Sequence, residues 1–399
     1  MALNVTKSEH FTDGAGTPIS FSEIRAQFGG SATNIKASAY LRNTSTSANF
    51  RSGDGKLSEN SPESRIPDAK ENENVAEESN WNVDSLRNTV SKYVVTQTGT
   101  DANANANVNL NNVSWNGNLS KNVFKQFNVE GQIYGSNYSQ TALTLNTAVS
   151  NLDINIKDGA AVYGASGLRG VPDGIPGISE RSPTKGGDAL YINNTRSEDD
   201  GNGVKISVSG NGKIWSGGGG GEKGTDGSAG AAFNCTTTNN YNRDTGLVGG
   251  CDSGDTQNAV NINGVRGRCR GRGTRRGQAG YHCGNGYTFS CTKSTTNTIS
   301  GGAAGKAGYG GFGLGWQNRN TAYADTVTHQ GGGQNNGGTN NCSSGGSSSG
   351  NPGTKGAAGG DWGQNSGSQS AGYAIQHKNC TIEGRTPTTV KGHVNTIQG

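Results

Sequence analysis

Residues 217–221 are five consecutive glycines, and the run continues with Gly224, Gly227 and Gly230 at intervals of three. Period three is the repeat of an extended, polyproline-II-type helix, where only glycine fits if chains meet closely. A phosphate-cradling GxxxxGK[ST] loop is excluded, because the nearest approach, SGGAAGKAG, places Ala307 after Lys306. Collagen is excluded too, since four triplet glycines and eight prolines are too few. A Gly/Ser linker would be flexible. It would not need the Tyr, Phe and Trp residues that alternate with glycine through the rest of the chain. The run therefore predicts packed, extended glycine segments, hydrogen bonded laterally, from which loops such as 233–299 project.

Ordinary side-chain burial cannot supply the order. Apolar residues are 29% of the 399, against roughly 45–50% in typical globular chains. The net charge is only +4, so self-repulsion does not hold the chain open. Backbone hydrogen bonding and association with other chains, expected as a homotrimer, would have to carry the fold. The start MALNVTKSEHFTDG is polar and lacks an export signal, and no window approaches a membrane span. A soluble chain with no membrane insertion is expected. The seven cysteines (Cys235, Cys251, Cys269, Cys283, Cys291, Cys342 and Cys380) form no CxxC pair. Zinc is therefore unsupported, and no metal or cofactor is expected.

Near the N-terminus, Ser20 and Glu23 fit a capping box, and Gly29-Gly30 would end the helix after about two turns. A second helix is expected after Asn82, with Val83, Leu86, Val90 and Tyr93 on one face. Trp115, Leu119 and Val123 echo Trp81, Leu86 and Val90. A firmer repeat follows in FNVEGQIYGS, LDINIKDGAAVYGASG and VKISVSGNGKIWSGGGG. Each is an alternating strand, a glycine turn, then Ile or Val with Tyr or Trp. Related openers are TALTLN and DALYIN, with fainter versions at NAVNIN and GYAIQH. The irregular spacing predicts stacked β-units with inserted loops, each needing neighbours in this chain or in its copies.

These segments together resemble a tail-fibre or tail-tip protein of a tailed bacteriophage, of a marine cyanophage-like or pelagiphage-like kind. The residues that carry the likeness are Ile19, Ser22, Glu23, Ile24, Phe28, Gly29 and Gly30, then Ile35, Ser38, Tyr40 and Arg42. SWNGNLSKNV leading into GQIYGS, AVYGASG and KIWSGGGGG adds to it, as does the closing GYAIQHKNCTIEGRTPTTVKGHV. The Arg-rich, Cys-containing interior of the last region departs from any such pattern. The resemblance implies a virion protein of the tail, made for host attachment and not an enzyme. Its implied partners are tail or baseplate proteins and a host surface glycan, lipopolysaccharide or outer-membrane protein. Packed glycine helices of polyglycine-II type resemble the tip domains of some phage adhesins.

Chemistry-bearing residues each have a plain structural reading beside the functional one. GVRGRCRGRGTRRGQ holds Arg266, Arg268, Arg270, Arg272, Arg275 and Arg276. It reads as a solvated loop or intersubunit contact, as a site for anionic envelope groups, or as a nucleic-acid segment. The balanced charge elsewhere disfavours nucleic acid. Tyr281, Tyr287, Phe289, Tyr309, Phe312, Trp316, Tyr323 and Trp362 lie among Gly, Asn, Gln and Ser. Such rings either stack on sugars or fill gaps beside glycine backbones. Asp153, Asp158, Asp188, Asp199 and Asp200 could supply the paired carboxylates of a hydrolytic spike, but spacing brings no two together. His282 and Cys283 are adjacent, so their side chains diverge in extended chain and form no dyad.

The expected protein is mainly β, elongated and trimeric. An N-terminal region with a small helix (1–60) would attach to the virion through Ile19, Phe21, Ile24, Phe28 and Tyr40. A connector (61–99) and a β-stack (100–216) would follow. A glycine-rich distal region (217–399) would meet the host, with Arg270, Arg272, Tyr281, Tyr287, Phe289, Trp316 and Trp362 as receptor contacts. The alternatives are a purely architectural tail, neck or capsid fibre, and a polysaccharide-degrading spike. A cellular RNA-binding protein is the third.

Overall fold

The computed structural model describes residues 4–6, 19–33, 36–45, 47–51, 55–80, 82–173, 179–196, 202–245, 256–262, 287–299, 304, 306–307, 309–319, 351 and 353–398. The chain forms two compact units. One comprises Met1–Gly224, Tyr309–Val327 and Lys355–Gly399, the other Thr225–Gly308 and Thr328–Thr354.

The first unit begins with β1 (Asn4–Thr6) and α1 (Phe21–Phe28). The capping box forms as the sequence predicts. Ser20 Oγ accepts the Glu23 N–H at 3.2 Å, and the Glu23 carboxylate accepts the Ser20 N–H at 2.7 Å. Gly29, at φ 77°, ends the helix. So short a helix needs a docking face, and Ile24 and Phe28 bury against Tyr40, Ile66, Val75 and Leu86. Beside this cluster, β2 (Arg42–Asn43) and β3 (Ile66–Pro67) pair in parallel.

The second expected helix is absent. Asn82 does cap, but only a single 3-10 turn, Val83–Leu86. Asn88 then takes φ 64°, off the helical path, and the chain becomes β4 (Lys92–Gln97) with alternate residues buried. The β-branched run Val94-Val95-Thr96 suits a strand better than a helix.

From β4 the chain winds around three parallel sheets. The first coil is β4, β5 (Asn105–Ala106) and β6 (Val108–Asn109). The second is β7 (Phe124–Val129), β8 (Gln132–Tyr134) and β9 (Leu143–Asn146). The third is β10 (Leu152–Ile156), β11 (Ala161–Tyr163) and β12 (Leu190–Asn193). β13 (Val204–Val208) and β14 (Lys213–Trp215) begin a fourth. Residues 216–372 intervene, including β15 (Phe233–Thr245), β16 (Thr256–Ile262) and β17 (Tyr287–Ile299), the antiparallel sheet of the second unit. Only then does β18 (Tyr373–Lys378) complete the fourth coil. The fifth is β19 (Cys380–Glu383), β20 (Val390–Lys391) and β21 (His393–Thr396).

The sheets run β4-β7-β10-β13-β19, β5-β8-β11-β14-β20 and β6-β9-β12-β18-β21, with β1 antiparallel on the free edge of β4. Inward residues stack in columns, so that Phe127, Ile154 and Ile206 face Ile133, Val162 and Ile214 from the second sheet and Leu143, Leu190 and Ile375 from the third. The neighbours that each sequence unit needed are therefore in the same chain. The three repeats fall on β7–β8, β10–β11 and β13–β14, and TALTLN, DALYIN and GYAIQH fall on β9, β12 and β18. NAVNIN instead contributes to β16, outside the coils.

The N-terminal segment is clamped to one corner of this β-helix. Asn122, Asn151 and Asn202, all buried, precede the first strand of successive coils. Asn122 Nδ2 donates to the Asn43 carbonyl at 2.9 Å, and Asn151 Nδ2 to the Ala48 carbonyl at 3.0 Å. Asn202 Nδ2 donates to the Ser47 carbonyl. Arg51 pairs with Asp153 at 3.0 Å and donates to the Leu152 carbonyl at 3.2 Å. Phe50 packs on Phe124.

Candidate functional site

The glycine segments leave the β-helix between second-sheet and third-sheet strands, at 164–189 and again at 216–372. Their backbone donors recur every third residue. Gly164, Gly167 and Gly170 donate to the carbonyls of Trp215, Gly218 and Gly221 at 2.8, 3.0 and 2.9 Å. Gly310, Gly313 and Trp316 donate to Gly170, Gly167 and Gly164 at 3.0, 3.2 and 3.1 Å. Gly311 and Leu314 donate to Ala357 and Gly360 at 2.8 and 2.9 Å, and these donate onward to Glu222 and Gly219, each at 2.8 Å. Thr184 and Gly187 donate to Leu168 and Ala165 at 3.0 and 2.8 Å.

Backbones meet here with no room for a side chain. A Cβ on Gly217 would lie 1.8 Å from the Ala165 carbonyl oxygen, and one on Gly310 would lie 1.9 Å from that of Gly221. Period three gives the 309–317 segment three separate ridges. Gly310, Gly313 and Trp316 bond one neighbour, and Gly311 and Leu314 bond another. Tyr309 and Phe312 share the third, with the Arg169 guanidinium over their rings at 4.4 and 4.8 Å. Such contacts contribute about 0.5–1 kcal/mol each where exposed.

An aromatic column on the second sheet meets these segments. Tyr134, Tyr163 and Trp215 end β8, β11 and β14 in register. Trp316 stacks on Tyr134 at 4.4 Å and 10°, and lies 5.9 Å from Tyr163. Trp362 sits 5.0 Å from Tyr163 and 5.5 Å from Trp215. Arg319 covers Trp316 at 4.1 Å and binds Asp101 at 2.9 Å. Lys391 covers Trp215 at 4.1 Å.

Of the expected receptor contacts, Trp362 is 6% exposed and Trp316 half-buried, both against this column. Tyr287 and Phe289 belong to β17, where Phe289 pairs with Arg243 and Val260. Arg270, Arg272 and Tyr281 lie outside the described residues, as do His282, Cys283 and the rest of the arginine cluster. The β15–β17 ribbon exposes Asn234, Asn239, Asn240 and 294–298, a set of amides and hydroxyls. Of the expected virion contacts, Ile24, Phe28 and Tyr40 are core residues, Ile19 is partly buried and Phe21 is 41% exposed. The candidate carboxylates have structural partners: Asp153 with Arg51, Asp158 with the Asn211 N–H, Asp188 with the Tyr373 N–H and Gln376. Asp199 and Asp200 lie outside the described residues. Burial holds the Asp153 carboxyl above its usual range even beside Arg51. Sequence reasoning passed over Asn122, Asn151, Asn202 and Asp101, whose amides and carboxylate look like loop polarity until the coils stack.

A coiled β base thus carries glycine-built segments joined by lateral backbone hydrogen bonds. Its lineage is that of phage tails. The chain belongs to the phage tail fibre adhesin Gp38 family, whose model matches residues 92–327, more than half its length. No curated protein and no solved structure matches it. The match begins on the first residue of β4, the start of the first coil. The protein is thus a component of the phage tail that serves host attachment at the fibre tip, and it is not an enzyme.

Proposed function

We propose that residues 217–399 form a polyglycine-II-like sandwich on which the excursions 225–308 and 328–354 are held against the host surface. The observation that carries this reading is the recurrence of lateral N–H···O bonds every third residue, at glycines where a Cβ would strike a neighbouring backbone. A lattice of that kind is stiff without needing apolar side chains, so the excursions are free to vary in sequence. The ligand is a host glycan, lipopolysaccharide or outer-membrane protein. Arg270 and Arg272 would meet its anionic groups, and Tyr281, Tyr287 and Phe289 its sugar faces or apolar patches. Residues 1–60 join the tail or baseplate, with Phe21 as the exposed apolar contact. The β-helix closes within one chain, so its core does not require copies; sedimentation of the purified protein distinguishes the expected homotrimer from a single chain.

Purified protein should adsorb to host cells and compete with whole phage. The triple variant Arg270→Ala, Arg272→Ala, Tyr281→Ala should lose at least about tenfold in affinity, roughly 1.4 kcal/mol. Unchanged adsorption by that variant would remove these residues from the receptor surface.

A further inference from the structure

A backbone lattice with period three has a weakness. Displacing one glycine segment by three residues restores every lateral hydrogen bond, so the lattice alone does not fix its own register. At about 3.1 Å per residue, one such slip would carry the start of an excursion about 9 Å. Side chains must remove the degeneracy, and the glycines have none.

We infer that the aromatic column of the second sheet is the register key, and that Trp316 and Trp362 are positioning residues for host attachment. The column is anchored to the coils, whose register is set by β pairing of Tyr134, Tyr163 and Trp215. Each glycine run that docks on it carries one tryptophan. Trp316 lands on Tyr134 and Tyr163, and Trp362 lands one coil further along on Tyr163 and Trp215. A three-residue slip of the first run would exchange Trp316 for Gly313 or Arg319. The stacking would then be lost although the backbone bonds reform. Two further contacts act in the same sense. Arg319 clamps Trp316 and reaches Asp101 beside the first coil. Gln317 Oε1 accepts the Ser166 N–H at 3.0 Å, while its Nε2 donates to the Gly135 carbonyl at 3.1 Å. None of these contacts survives displacement by three. In sequence the key precedes Thr328, where the second stretch of the other unit begins, so a slip at Trp316 is passed along the chain toward that stretch.

The link to attachment rests on the reading that the excursions meet the host, so the test reads register and binding separately. Two cysteine pairs report register by short thiol-specific cross-linking, mapped by mass spectrometry. Ser166→Cys with Gln317→Cys joins in the native register, and Ser166→Cys with Leu314→Cys joins after a slip of three. In full-length protein, Trp316→Ala with Trp362→Ala should shift cross-linking from the native to the displaced pair. Host-cell adsorption should fall at least tenfold at unchanged circular dichroism. Phenylalanine at both positions, which keeps a ring on the column, should restore both readouts. Should the alanine variant fail to fold, Trp316→Leu keeps apolar area without the ring and is read the same way. Native cross-linking alone in the folded alanine or leucine variant overturns the key, and lost binding with native cross-linking would make the tryptophans receptor contacts. Displaced cross-linking with full adsorption leaves the key standing and removes the excursions from the host contact.

Discussion

Gly220 shows how much the lattice demands of one residue. A Cβ there would lie 1.8 Å from the Leu168 carbonyl oxygen, an atom held in backbone that cannot retreat. Gly220→Ala is expected to cost about 3 kcal/mol or more, as severe overpacking does. Gly159 has open space around its Cβ position but sits at φ 75°, so Gly159→Ala should cost only about 1–2 kcal/mol. Chemical denaturation of the two variants measures the difference; equal costs would mean that steric contact is not what selects glycine at 220. The spacing of the glycines was visible in the sequence. The partners were not, because a residue without a side chain carries no mark of which neighbour it meets. The ring pattern was half visible: Tyr134, Tyr163 and Trp215 stand out as unit endings, whereas nothing in the runs around Trp316 and Trp362 assigns those rings to the same column.

Among the elements, the coil strands were legible because alternation survives stacking: Leu152, Ile154 and Ile156 point inward just as the pattern states. The segment 82–95 was misread because Val83, Leu86, Val90 and Tyr93 satisfy a helical spacing by coincidence with a strand that begins at Lys92. Lys125 shows a different limit. Alternation through Phe127 and Val129 places it on the inner side of β7, in register with Leu152, where an apolar residue would be expected; it is fully buried, and its Nζ donates to the carbonyls of Lys121 and Val123 at 2.6 and 2.7 Å. Burial pushes its ammonium well below the ordinary lysine range, with Arg196 and Arg51 adding repulsion. The folded chain then binds this proton less tightly than the unfolded chain. Stability contributed by Lys125 therefore rises with pH from its folded pKa up to about 10.4, the free lysine value. The free energy of urea unfolding should climb as pH rises toward that value, at a limiting slope of about 1.4 kcal/mol per pH unit. Lys125→Met should flatten that slope, whatever its effect on absolute stability. An unaltered slope in the variant would assign the titration elsewhere.

On the scale of the whole molecule, the order of the chain matters as much as its contacts. β14 ends at Trp215 and its coil is closed only by β18, which begins at Tyr373. The sequence showed β-like character at both places, but could not show that they are neighbours, because the separation carries no periodic signal. A chain cut after Gly372 lacks β18–β21 and uncovers Leu190, Ile192, Val204, Ile206 and Ile214, all buried in the complete fold. That chain is expected to aggregate; a soluble, monodisperse product with intact β circular dichroism would show that the last strands are dispensable.

The same threading has a consequence for biosynthesis. At roughly 5–20 residues per second, the ribosome spends on the order of ten seconds or more between finishing β14 and starting β18. Throughout that interval the fourth coil stands open at one side, and the strands that seal it emerge only after residues 216–372. Sealing the base is therefore a report that the excursions have already been made. A message broken anywhere within residues 216–372 yields a product with an open, adhesive coil, one that cellular proteases can remove before it competes for a place on a virion.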